Sequence, residues 1–345
     1  MIKPDSQLKT LNQLHPNQRA DFFAQLWKKE LKQTREGRPY TKVVFRDAGR
    51  EVSAKIWEDS PWDSACREDW QAGGFYKIRG VYTVDSFGGQ IKIQKIRPVE
   101  EADLQQGFDP LFCQPRSKEP PEDLHEAILE LVAAELAHDE LRQVVETLYQ
   151  RHRETLLLLP ASLRHHHRYA GGYLQHVYSV TRMAIRLVDH YRDQHPALYD
   201  PPLRDLVIAG CLLHDIGKLR ELADPTQNGG QYTSAGQLLG HLIQGRDMVR
   251  EVAAELELEG DWLLRLEHLI LAHQGSPEHG SPRVPQTVEA TLVHLVDQLD
   301  GSVFRLLEAF DEPSGGGPFT SPNNRWGQAL YRGAVEEPAS SEPSA

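Results

Sequence analysis

The octapeptide LLHDIGKL at residues 212–219 sets a histidine beside an aspartate, His214 and Asp215, in an apolar stretch with helical spacing. An unpaired carboxylate is costly to bury, and Asp is rarely found in such surroundings without a partner. Other polar residues interrupt apolar helical patterns on either side: His176 in GGYLQHVYSV, His241 in QLLGHLIQG, His273 in HLILAHQG and Asp297 in LVHLVDQLD. One histidine on an apolar helix is ordinarily a hydrogen-bonded core residue. This set is better explained together: imidazoles and carboxylates converging in a helical bundle form a metal site. The intervals from His176 onward are 38, 27, 32 and 24 residues. These are helix-plus-loop distances, so each ligand comes from its own helix. A zinc finger, which needs ligand pairs a few residues apart, is excluded.

Upstream the pattern changes. TKVVFRDAGREVSAKIWED places Val43, Phe45, Val52, Ala54 and Ile56 at near-alternate positions, a hairpin pattern. GGFYKIRGVYTVDSFGGQIKIQKIRPV repeats it, with turns at Gly73-Gly74 and Gly88-Gly89. Several short strands in roughly 80 residues predict a small closed barrel over 18–98. A connector, 99–121, contains Pro110, Pro115, Pro120 and Pro121 and reads as a linker. Helical periodicity then begins with Leu124, Ile128, Leu131, Val132 and Leu136. It predicts an all-α domain over 122–310 and a flexible tail over 311–345, rich in Gly, Pro, Ser and Glu. The fold class is therefore multidomain, a small all-β barrel followed by an all-α bundle.

The chain of 345 residues, with a net charge of −12, can bury a core without disulfides. Its cysteines, Cys66, Cys113 and Cys211, form no CxxC pair and suit a reducing compartment. The opening MIKPDSQLKT lacks the apolar core of a signal peptide. The longest apolar run, 206–213, is too short to span a bilayer. A cytoplasmic location without membrane contact is expected. The charge is uneven: 18–98 holds 16 Lys and Arg against 11 Asp and Glu, the remainder 22 against 39. A basic segment on an acidic chain points to a polyanionic partner. Candidate phosphate contacts are Arg38, Lys42, Lys55, Lys77, Arg79 and Lys92. Tyr40, Phe45, Trp57, Tyr76, Tyr82 and Phe87 are candidate stacking platforms, with Trp57 and Tyr76 selected. Each aromatic has an alternative reading as barrel core.

Four longer stretches extend these motifs: HHHRYAGGYLQHVYSV (165–180), LVIAGCLLHDIGKLREL (206–222), GQLLGHLIQGRDMV (236–249) and LEHLILAHQGSPEHGSPRVPQTVEATLVHLVDQLD (266–300). Together they resemble the YhaM-type 3′→5′ exoribonucleases, a branch of the HD-superfamily phosphohydrolases. The two hairpin stretches resemble the OB-fold of those enzymes. This chain departs from the family pattern at Gln175, where Glu is usual, and at Gln274, where His is usual.

The resemblance implies a 3′→5′ exoribonuclease acting on single-stranded RNA, with single-stranded DNA as a further candidate. It implies two divalent ions sharing a hydroxide. His176, His214, Asp215 and Asp297 would hold the first ion, and Asp215 would bridge to a second held by His241 and His273. The His-rich set favours Mn, Fe, Co, Ni or Zn over Mg, and the resemblance favours Mn²⁺. Lys218, four residues after His214, would contact a phosphate oxygen. His166 and His167 would meet substrate or protonate the leaving group, with His167 chosen for the catalytic set. Self-association is also implied. Two further readings stand beside this one: a phosphohydrolase of small nucleotides or cyclic dinucleotides, and a nucleic-acid-binding protein with an inactive HD domain.

Overall fold

The structure is a computed structural model. It describes residues 8–34, 36–48, 50–85, 88–113, 117, 119–163, 165–198, 202–223, 231–311, 318–322, 324 and 326–333. Phe87, residues 312–317 and 334–345 of the expected tail, and 114–116 and 118 of the expected linker lie outside them. The chain divides into two compact units, 1–115 with 305–345, and 116–304.

The first unit contains β1 (Arg19–Gln33), β2 (Pro39–Arg46), β3 (Glu51–Trp57), α1 (Asp63–Glu68), β4 (Phe75–Asp85) and β5 (Gly88–Pro98). The strands close into a barrel in the order β1-β2-β3-β5-β4, with β4 returning to β1. That circuit, with β3 and β5 parallel and the other pairs antiparallel, is the OB-fold barrel. The expected alternation sets its inside: Val43, Phe45, Val52, Ala54 and Ile56 are buried with Phe22, Leu26, Ile78 and Ile91. Tyr76 and Tyr82 belong to the same core. Tyr76 lies 6.1 Å from the Trp70 ring and 6.3 Å from Phe45, and its hydroxyl accepts from the Gln71 amide at 2.9 Å. Expected as a stacking platform, it has no face open to a base.

The expected linker has structure of its own. Short 3-10 turns cover Glu101–Gln106 and Pro110–Cys113. Asp103 explains the first. Its side chain is fully buried and accepts from Arg97 at 2.6 and 2.8 Å, from Lys77 at 3.2 Å and from the Glu100 amide at 2.9 Å. Those donors, the Arg97 guanidinium above all, hold its carboxyl well below the usual carboxylate range against the opposing effect of burial. Phe108 then packs on Phe23 and Phe75, ring centroids 5.2 and 5.5 Å apart. Proline content alone reads as a linker; the anchors are the residues between the prolines. Within the expected tail, Phe319 bridges to Tyr331 and the Asn324 side chain bonds Thr320 and Gln328, so 318–322 is held to 326–333.

The second unit is helical: α2 (Pro121–Glu135), α3 (Asp139–Arg151), α4 (Arg153–Leu156), α5 (Gly172–Tyr191), α6 (Leu203–Leu213), α7 (Lys218–Glu221), a two-strand ribbon of β6 (Leu222–Ala223) and β7 (Gln231–Tyr232), then α8 (Ser234–Glu255), α9 (Asp261–Ala272) and α10 (Val288–Asp311). α6 is the central post, buried from Asp205 to Leu213. α3, α5 and α9 pack around it through Val144, Leu148, Tyr173, Val177, Leu266 and Ile270. No helix among the described residues is long and apolar enough to cross a membrane.

Asp103→Ala should destabilise the first unit by about 1–2 kcal/mol, because it strands two cations and an amide while Arg97 stays partly in water. Urea unfolding of the full chain followed by Trp fluorescence measures this. A midpoint equal to that of the parent would remove the anchor role.

Candidate metal centre and nucleic-acid face

His214 caps the C-terminus of α6, and the chain turns sharply through Asp215 and Gly217 into α7. A Cβ on Gly217 would lie 2.0 Å from the His241 carbonyl oxygen. Glycine there lets α8 press against the turn. α8 is itself broken at Gly240, φ 72° and ψ 166°, a conformation that suits glycine. The break starts a fresh helical segment at His241, whose amide and Nδ1 both lie 3.1 Å from Glu221 Oε1.

These elements bring all six predicted ligands together. Asp215 is the hub. Its Oδ1 lies 3.2 Å from His241 Nε2 and 3.6 Å from His273 Nε2, and its Oδ2 lies 3.5 Å from His214 Nε2. Asp297 Oδ1 lies 3.1 Å from His176 Nε2 and 3.6 Å from His214 Nε2. Each imidazole has its other nitrogen on an oxygen: His176 Nδ1 on Asp300 at 2.9 Å, His214 Nδ1 on Cys211 O at 2.8 Å, His241 Nδ1 on Glu221, and His273 Nδ1 on Ile270 O at 2.8 Å. Nδ1 is therefore the donor when the ring is neutral, and the Nε2 lone pair faces inward. The Nε2 atoms of His176, His214 and His241 and Asp215 Oδ1 are buried without a hydrogen bond of acceptable geometry, despite the nearby oxygens. Inward-facing lone pairs with no donor to satisfy them fit cations. His176, His214 and Asp297 form one group able to hold a metal ion; His214, Asp215 and His273 form another.

A third group, His166, His167 and His176, competes with the first, since His176 has one nitrogen left to give. His166 and His167 instead meet each other, Nδ1 to Nδ1 at 3.2 Å. His167, expected to reach substrate, is buried with its ring stacked on Phe304 at 3.7 Å. His166 is the more open of the two, its ring 4.6 Å from that of His176. Lys218 is also turned inward: its Nζ donates to Asp215 Oδ2 and to the Ala161 carbonyl. There it neutralises Asp215, where contact with a phosphate oxygen was expected.

Sequence reasoning passed over the outer support. Asp300 accepts from Ser179 Oγ at 2.5 Å as well as holding His176. One helical turn after Asp297 on the same apolar pattern, it was visible as a second carboxylate with no reason to be there. Glu221 is buried and holds His241, while its neighbour Arg220 pairs with Glu251. At the positions that depart from the family pattern, Gln175 accepts from the Tyr169 hydroxyl at 2.8 Å and Gln274 Nε2 lies 3.1 Å from His273 Nε2.

The electrostatics follow from burial and these pairs. Burial pushes His214 down to about 4 and His166 to about 3. It also opposes charge on His176 and His241, but the carboxylates beside them outweigh it and raise both to about 9. Asp215 is likewise opposed by burial, yet Lys218 and then His214 hold it well below its ordinary value.

On the barrel, the outward positions of β2 and β3 pair Tyr40 with Trp57 and Lys42 with Lys55. The Tyr40 and Trp57 rings lie 5.1 Å apart, with the Arg38 guanidinium 4.6 Å from the Trp57 ring centre and Lys55 Nζ 6.0 Å from that of Tyr40. Lys92 is exposed on β5. Arg79 and Lys77 are already committed to carboxylates: Arg79 forms a two-point pair with Asp21 at 2.5 Å, and Lys77 meets Asp103.

A helical bundle with a His-Asp centre, joined to an OB-fold barrel, defines the class as an HD-domain hydrolase with an additional OB-fold module. The profile of the HD domain family matches residues 173–302. The 3′-5′ exoribonuclease YhaM of Oceanobacillus iheyensis is 34% identical over 282 residues, covering 81% of this chain and 83% of that protein. Its namesake from Halalkalibacterium halodurans is 32% identical, covering 77% and 78%. The chain belongs to the YhaM family of 3′-5′ exoribonucleases. Among solved structures, the second OB-fold domain of replication protein A from Methanococcus maripaludis aligns to 28% of this chain and 97% of its own at 14% identity, with a TM-score of 0.22. That likeness is too slight to add to the strand order.

The raised values at His176 and His241 give a pH signature. Both lie above the ordinary value near 6.5. Their contribution to stability is therefore complete below about pH 6.5 and lost as pH rises through about 9. In chelator, the melting temperature should fall across that window. Metal affinity should rise across it, because binding must displace those protons. Scanning calorimetry with EDTA and metal titration at pH 6.5 and 8.5 measure both. A flat melting temperature together with pH-independent affinity would contradict the assignment.

Proposed function

We propose that this chain is a metal-dependent 3′→5′ exoribonuclease of single-stranded RNA, with single-stranded DNA a further candidate substrate. The observation that carries the reading is the buried ring of unsatisfied Nε2 atoms around Asp215 and Asp297. His176, His214, Asp215 and Asp297 would hold one divalent ion, and Asp215, His241 and His273 a second, with Mn²⁺ the preferred ion. Bound there, such ions supply a water nucleophile at neutral pH and neutralise charge on the phosphate.

The remaining roles fall to the chain itself. Asp300, Glu221 and the carbonyls of Cys211 and Ile270 fix the imidazoles in one tautomer and orientation. Lys218 keeps Asp215 ionised. His166, on the open side of the His176 ring, is placed to meet the substrate phosphate or the leaving oxygen, with His167 and Phe304 bracing it. The β2–β3 face, with Arg38, Tyr40, Lys42, Lys55 and Trp57, would hold the RNA body by stacking and phosphate contact. The domain limits that suit this division are 18–98 for binding and 122–310 for hydrolysis.

Asp215→Ala should abolish release of mononucleotides from end-labelled single-stranded RNA in Mn²⁺ and lower bound metal from about two ions per chain to below one. Gel assay and elemental analysis read these outcomes; near-parental turnover would sink the mechanism. Arg38→Ala with Trp57→Ala should weaken RNA affinity about tenfold while leaving hydrolysis of bis-p-nitrophenyl phosphate untouched. An unchanged RNA affinity would return these residues to an ordinary surface.

A further inference from the structure

A groove along one side of α5 carries chemistry that the metal centre does not use. Its volume is about 510 Å³, and it lies between α5, α10 and the start of α2. The floor is apolar, with Met183 from α5 and Leu299 and Val303 from α10, the last two 51% and 46% exposed. Along the rim stand Arg182 and Arg186, both exposed and one helical turn apart. The Arg182 guanidinium lies 5.4 Å from the Tyr178 ring centre. Neither arginine forms an ion pair among the described residues. Elsewhere in this unit the pattern is different: Arg151, Arg204, Arg220, Arg250 and Arg265 each hold a glutamate.

Asp300 and Ser179 also line the groove, and Asp300 is the carboxylate that holds His176 Nδ1. The groove wall is thus linked to the metal centre through the His176 ring. Asp300 brings little free negative charge there, because its two oxygens are engaged by His176 and Ser179. Glu119 lines the groove as well.

We propose that this groove is a subsite for the nucleic-acid strand immediately upstream of the end being cleaved. Base and ribose would lie on Met183, Leu299 and Val303, and successive phosphates on Arg182 and Arg186. Two arginines whose backbone positions lie about 6 Å apart along the helix axis suit the regular spacing of phosphates on an extended strand. Guanidinium stacked on an aromatic ring beside an apolar floor also suits a base of any identity. An acidic peptide would satisfy the charge but brings no planar bases to lie on the apolar floor and beside the Tyr178–Arg182 pair. The subsite deepens the exoribonuclease reading and rests on it.

The test uses the full chain. Binding of a labelled hexaadenylate is followed by anisotropy in EDTA across a salt series. Arg182→Ala with Arg186→Ala should weaken binding at least tenfold and reduce the log–log salt slope by about 1.4, the share of two single-strand phosphate contacts. Arg182→Lys with Arg186→Lys should recover most of the slope. Turnover of bis-p-nitrophenyl phosphate in Mn²⁺ should stay at the parental level, since neither arginine touches the metal ligands. Unchanged affinity and slope in a double-alanine variant with a parental melting temperature would overturn the subsite. So would hexaglutamate binding to the parent chain more tightly than the hexanucleotide. A chain that loses RNA binding on double substitution, yet whose parent never hydrolyses RNA, would refute the exoribonuclease reading and overturn the subsite as one that serves cleavage, leaving a nucleic-acid-binding groove alone.

Discussion

Four imidazoles in this protein share one constraint: Nδ1 is fixed on an oxygen and Nε2 points to a common centre. The oxygens come from two carboxylates, Asp300 and Glu221, and from two backbone carbonyls, of Cys211 and Ile270. Both carbonyls belong to residues three before the histidine they hold, at the ends of α6 and α9. The orphan carbonyls of a helix C-terminus thus do the work of a supporting shell. The helix ends must then converge, and much of the bundle follows from that. α6 is buried from Asp205 to Leu213, α9 lies against it, and α8 breaks at Gly240 where His241 enters.

The HD centre was legible because buried charge has few explanations. His214 and Asp215 in an apolar run, with matching intrusions at His176, His241, His273 and Asp297, had to meet to be tolerable, and they do. The barrel was legible from alternation, since Val43, Phe45, Val52, Ala54 and Ile56 all face inward. Alternation could not say which aromatics face outward. Tyr40 and Trp57 sit opposite one another in the pairing of β2 with β3, and that register is not written in either strand alone. Tyr76 looked equivalent and is core.

Other features lay beyond reach because they depend on partners far away in the sequence. Lys77 and Arg97 are basic by composition, but Asp103 binds both. The basic balance of 18–98 therefore overstates the cationic surface, and Arg38 too shares its charge, with Asp59 at 2.8 Å. Lys218 followed the same course: its place in HDIGK suggested substrate contact, while its Nζ reaches back to Ala161 and Asp215. The role of Glu221 depends likewise on the break in α8, which brings His241 over it.

The position of Lys218 bears on the order in which this protein comes into being. A cluster of carboxylates and imidazoles with no cation of its own would repel itself, and the bundle would have to wait for metal before closing. Here one ammonium group and two readily protonated rings, His176 and His241, already balance Asp215 and Asp297. The newly made chain would then close its core on internal charge alone. Maturation would be an exchange, in which arriving ions would displace protons and loosen an ammonium from a finished scaffold. Which ion a cell installs would depend on how well it competes for that exchange at the prevailing pH, as much as on its fit to the ligands.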